Sequence, residues 1–149
     1  TERAEILAAL AGTRNLVALT GDIHAFYASE IHVDPSEIQD DPVCVEYVCA
    51  GISSSPVQEI AQGVVDSSDA FIPLKNLVPQ FDTILANTSP EYKYVASLAH
   101  GVAVVEVHAD TEITVEFIQI DDVKSKDWDG TVSRKKFRTA SGTPRIETM

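Results

Sequence analysis

The 149-residue sequence is short of the features that mark the specialised protein classes. It has two cysteines, too few for a disulfide scaffold. Basic residues number 11 against 23 acidic ones, a formal charge of −12, so the cationic footprint needed for general nucleic-acid binding is missing. No apolar run reaches the roughly 18 residues of a membrane-spanning helix. Glycine and proline, seven of each, are too sparse for a collagen-like or low-complexity chain. The usual catalytic templates are also absent: Gly-x-Ser-x-Gly, a Walker-type phosphate loop, Gly-x-Gly-x-x-Gly and His-Glu-x-x-His. What is present is a composition that is 44% hydrophobic, enough to form the core of one domain.

No leader pattern is visible, and the sequence opens at Thr1 directly into a helical pattern, which reads as a piece of something longer. The charge is uneven. From Lys124 onward seven basic residues face three acidic ones, a net of +4, whereas residues 1–123 carry a net of −16. The division implied is an acidic body, residues 1–123, and a basic C-terminal extension, residues 124–149, that packs on it or trails from it.

Residues 2–11 place Ile6, Leu7 and Leu10 on one helical face, with Glu2 and Glu5 in the first turn and Gly12 as a C-terminal stop. Residues 15–20 (NLVALT) are nearly all apolar and predict a strand buried on both faces. Residues 25–31 read as strand or short helix, and residues 34–42 as an acidic loop. Residues 43–49 are rich in β-branched and aromatic side chains, so a third extended segment is expected there. It holds Cys44 and Cys49, which five residues of strand turn to opposite faces and separate by roughly 16 Å, too far to pair. Two free thiols are therefore expected. A small-residue turn follows at 50–56, then a weak helix at 57–65 and irregular cover to residue 90. The runs 101–108 and 111–120, joined by Ala109-Asp110, predict an antiparallel hairpin. Residues 135–146 read as an edge strand or a surface arm.

The polar cluster Gly21-Asp22-Ile23-His24 stands at the end of the 15–20 strand, where ligand groups gather in sheets flanked by helices. In an extended segment Asp22 and His24 project to the same side. A carboxylate and an imidazole so placed share a metal centre or two adjacent ones, or else form a hydrogen-bonded structural pair. Of the other histidines, His32 in the acidic loop reads as a surface residue and His108 as solvated. His100 either caps the segment before it or points into a site. Ser53, Ser54 and Ser55 lack a visible base partner and read as a plain turn.

Residues 3–31, with the Gly21-Asp22-x-His24 motif and Glu30-Ile31, resemble the C-terminal part of PhoD-like alkaline phosphatases, members of the calcineurin-like metallophosphoesterase superfamily. The resemblance continues through residues 45–48, Ile52-Ser53-Ser54, residues 92–94 and His100-Gly101-Val102. Where the family often has Asn-Pro-His before that third block, this chain has Ser89-Pro90-Glu91. The family's remaining metal-ligand motifs are absent and belong upstream of the matched region.

The resemblance implies an α+β chain forming the C-terminal part of a four-layer αββα sandwich, its mixed sheet ending in an antiparallel hairpin. Helices would lie on one face, and an apolar face would be left for the rest of the enzyme or a second copy to cover. It implies Asp22 and His24 as metal ligands, with no other catalytic residue, and two or more metal ions, iron and calcium being typical. The implied reaction is hydrolysis of a small phosphomonoester or phosphodiester by metal-activated water, with this segment inactive alone and the whole enzyme secreted or periplasmic. The alternative is a non-catalytic structural or interaction module derived from the same family. A third reading, Asp22-Ile23-His24 as the opening motif of an ordinary metallophosphoesterase, requires Gly-Asp and Gly-Asn-His motifs downstream, and there are none.

Overall fold

Glu2 and Glu5 sit in the first turn of α1 (Glu2–Leu10), where the helix dipole favours negative charge. Gly12, at φ +87°, takes the left-handed conformation that ends the helix. The computed structural model describes residues 2–120 and 123–149; Thr1 and residues 121–122, which adjoin the expected boundary at 123, lie outside the described residues. Four strands follow in the first half: β1 (Val17–Thr20), β2 (Phe26–Ile31), β3 (Cys44–Val48) and β4 (Tyr92–Ala96). They form a mixed sheet of order β1-β3-β2-β4, in which β1 runs parallel to β3 and the other pairs are antiparallel. Between β3 and β4 lie α2 (Val57–Asp66), two short 3-10 turns and α3 (Phe81–Thr88).

The second half is a separate antiparallel sheet of order β5-β6-β7-β8, made of β5 (His100–His108), β6 (Glu112–Ile120), β7 (Ser133–Ala140) and β8 (Glu147–Thr148). The expected hairpin is present as β5 and β6. It does not extend the mixed sheet, however, because residues 97–99 carry the chain across to a second layer. Gly101 makes that crossing possible: its φ is +148°, and a Cβ there would stand 2.0 Å from the Ile118 carbonyl oxygen.

The two sheets pack face to face. Phe26, Ala28, Val45 and Tyr47 of the first meet Val115, Phe117 and Phe137 of the second in one buried cluster. Ring centroids lie 4.8 Å apart for Phe26 and Phe117, and 6.1 Å for Tyr47 and Phe137. The Tyr47 and Thr139 hydroxyls hydrogen bond at 2.8 Å, and the Tyr94 hydroxyl donates to Gln119 Oε1 at 2.9 Å, so these polar atoms of the joint are matched, while Gln119 Nε2 is buried without a partner among the described residues. The inner face expected to stand open is thus covered from within the chain. Strand β7, expected at an edge, lies between β6 and β8 and buries Phe137. On the other face of the mixed sheet, Tyr27 and Val48 pack against Val57 of α2 and Leu85 of α3. The result is three layers, helices, mixed sheet and antiparallel sheet.

The strand at 15–20 is not buried on both faces. β1 is an edge strand with Leu19 56% exposed, because β3 covers one of its sides and no other described strand pairs with the second. Beside it, α1 overhangs an apolar groove of about 430 Å³ lined by Ile6, Leu7, Leu10, Leu16 and Ala18 among others. Both cysteines are free, as expected, and burial pushes both thiols up from their ordinary pKa. No helix among the described residues is long and apolar enough to cross a membrane.

Candidate functional site

Strand directions decide where the polar loops meet. With β1 parallel to β3 and β2 antiparallel between β3 and β4, the carboxyl ends of β1, β3 and β4 and the start of β2 share one end of the sheet. Residues 21–25, the turn 49–56 and the crossing 97–100 all emerge there. The Cys49 N–H donates to the Thr20 carbonyl at 2.9 Å and the Gly101 N–H to the Gly51 carbonyl at 3.2 Å, so the three segments are tied together by backbone.

Asp22 and His24 are not in extended backbone. Both are left-handed, at φ 69° and 58°, and the Ile23 N–H bends back onto the Gly21 carbonyl at 2.8 Å. The same-side projection expected of a strand therefore does not apply. The positive φ values fall on the two polar residues and not on Gly21. Aspartate and histidine are among the few side chains that enter this region, at a cost of roughly 1 kcal/mol each. Asp22 is exposed, and His24 half-buried.

The His24 ring is held from one side. Its Nδ1 lies 2.9 Å from the Ser55 carbonyl oxygen. A carbonyl only accepts, so in the neutral ring Nδ1 carries the proton and Nε2 keeps its lone pair. The Val57 N–H also donates to the His24 carbonyl at 3.1 Å, which locks backbone and ring to the same turn. Metal-binding histidines use this arrangement, one nitrogen bonded to a backbone carbonyl and the other free. The serine turn, a plain turn in the sequence reading, is thus what orients His24. It acts through a main-chain atom, which no residue identity announces.

Glu59, in the first turn of α2, extends this end of the molecule. The Lys124 ammonium beside it holds its carboxyl below the usual range, with the Ser55 hydroxyl and His100 contributing. Of the remaining histidines, His32 departs from expectation. His108 is exposed. His32 is not a surface residue: only 3% is exposed, because its N–H is bonded to Glu91 Oε1 at 3.0 Å and the acidic loop folds beside it. His100 is 5% exposed. Among the described residues no group of three or more His, Cys, Asp or Glu side chains converges to hold a metal ion.

Away from this end, Glu30 is buried in β2 and accepts from Arg145 at 3.2 Å, Lys93 at 3.3 Å and the Ile146 N–H at 2.8 Å. Through it the basic C-terminal segment is fastened to the mixed sheet.

Comparison with known proteins gives one family: the family model described as PhoD-like phosphatase matches residues 1–117. No curated protein and no solved structure matches the chain.

Proposed function

The chain belongs to the PhoD-like phosphatase family, and from that premise we propose that it supplies the Asp22 and His24 side of a metal-dependent phosphoesterase site. The observation that carries the reading is the 2.9 Å bond from His24 Nδ1 to the Ser55 carbonyl, which leaves Nε2 as a preset ligand atom. The donor chemistry fits a metal: a carboxylate and an imidazole, both on backbone strained enough to need a reason. Metal ions held there, iron and calcium by family resemblance, would polarise phosphoryl oxygens and lower the pKa of a bound water. In this chain His24 would present Nε2, Asp22 a carboxylate oxygen, and the 49–56 turn would keep the imidazole from rotating.

The substrate is a small phosphomonoester or phosphodiester. Ligands beyond these two come from elsewhere, from an N-terminal part of the same enzyme or from a second copy. The three layers described above would then belong to a four-layer αββα sandwich, and the open β1 edge is where further strands would add. The non-catalytic reading draws support from the lack of a third converging ligand among the described residues. Metal content and phosphatase activity of the full-length protein, with and without His24→Ala, separate the two. The enzyme reading expects the variant to lose bound metal and at least about 100-fold in activity, a loss of the size seen for catalytic electrostatics. Unchanged metal content and activity would leave the module reading.

A further inference from the structure

His100 is a buried polar side chain with nothing to bond. The residue is 5% exposed, yet neither Nδ1 nor Nε2 has a hydrogen-bond partner among the described residues. A neutral imidazole has one donor and one acceptor, and folds seldom leave both unmet in the interior. The ring's position is fixed by backbone. Gly101, next in sequence, donates to the Gly51 carbonyl and has no room for a Cβ, so the crossing cannot slide to relieve the ring. The carboxylate of Glu59, in the same part of the molecule, accepts from Lys124 and not from the ring. This unsatisfied ring lies at the same end of the sheets as His24, one turn away: residue 51 of that turn holds the crossing and residue 55 orients His24.

We propose that His100 is a substrate-binding residue of the His24 site, its ring N–H donating to a phosphoryl oxygen of the bound ester. The inference rests on the phosphoesterase reading above. It assigns the residue a role that the metal ligands do not fill: the metals meet one side of the anion and a neutral imidazole donor meets another. The ring is 5% exposed, so an ester reaches it only when a segment packed over it moves.

His100→Phe in the full-length, metal-loaded enzyme tests this, with inorganic phosphate as the probe. Phenylalanine fills similar space and removes two unmet polar atoms, so thermal stability should hold or rise. Inhibition by phosphate should weaken about 10-fold or more, the worth of a hydrogen bond to a charged group, and the KM for an aryl phosphate should rise with it. Metal content should stay at the wild-type level, and His100→Gln, which keeps a donor, should recover part of the phosphate affinity.

Unchanged phosphate inhibition in His100→Phe would overturn the inference while leaving the phosphoesterase reading intact. Loss of metal from His100→Phe would also overturn it, since the ring would then be part of the metal site. A wild-type enzyme that holds no metal and binds no phosphate would bring down the underlying reading, and this inference with it.

Discussion

In the antiparallel sheet the outward side chains of neighbouring strands meet in opposite-charge pairs, Arg134 with Glu116 at 3.2 Å and Arg138 with Glu112 at 3.6 Å and Glu147 at 2.6 Å. The mixed sheet, by contrast, ends in the short apolar β1, with Leu19 facing out and an open groove beside it under α1. The outer face of the antiparallel sheet is charged across β6, β7 and β8, with exposed valines confined to its end strand β5 (Val102, Val104 and Val107), whereas the mixed sheet ends in an apolar edge with a groove beside it. The candidate site stands on the second of these. Strained backbone at Asp22 and His24 and an edge unpaired among the described residues occur on or next to the mixed sheet, and the antiparallel sheet adds His100, the first residue of β5, at the same end. The antiparallel sheet also covers the inner face of the mixed sheet.

The largest effect is expected at the joint between the sheets. Phe117→Ala removes the ring that meets Phe26, Tyr47, Tyr94 and Phe137. It should cost about 3–5 kcal/mol in urea denaturation, with both sheets lost in a single transition. Two separate transitions would show that the sheets are independent units. Next, Glu30→Gln should cost about 2–3 kcal/mol, less than a fully buried pair because Lys93 and Arg145 are each about a third exposed. Limited proteolysis should then release the C-terminal segment first.

A smaller effect of opposite sign sharpens the contrast. Asp22→Gly relieves a left-handed aspartate and should stabilise the chain by about 1 kcal/mol while lowering metal affinity. A destabilised variant would mean that the loop geometry serves the fold rather than a ligand. Smallest of all, Leu19→Ser should change the stability of this 149-residue chain by less than about 0.5 kcal/mol. In a full-length enzyme that covers β1, the same substitution should cost more, about 1–2 kcal/mol. Equal small effects in both would show that the edge stays open.

Much of the antiparallel sheet was legible in the sequence, because alternation of Glu112, Thr114 and Glu116 against Ile113, Val115 and Phe117 directly reports a strand with one wet face. The location of Gly21-Asp22-Ile23-His24 at a strand end was legible for a similar reason. Burial of β1 was misjudged because periodicity gives the environment a segment is suited to, and the strand that would provide it is not among the described neighbours. The burial of His32 is not readable because burial of a loop residue depends on what packs over it, not on its own neighbours in sequence, and for the same reason the sequence leaves two alternatives open for His100. The Ser55 carbonyl could not be found at all from residue types, since any amino acid supplies one.

The central claim is that His24 is held as a ligand, with its proton on Nδ1 and its lone pair on Nε2. Ring nitrogen chemical shifts of ¹⁵N-histidine-labelled protein at neutral to mildly alkaline pH measure this directly. A protonated Nδ1 and an unprotonated Nε2 are expected for His24, with a metal-induced shift confined to Nε2. A ring protonated at Nε2, or a metal that leaves the His24 resonances unmoved, would contradict it.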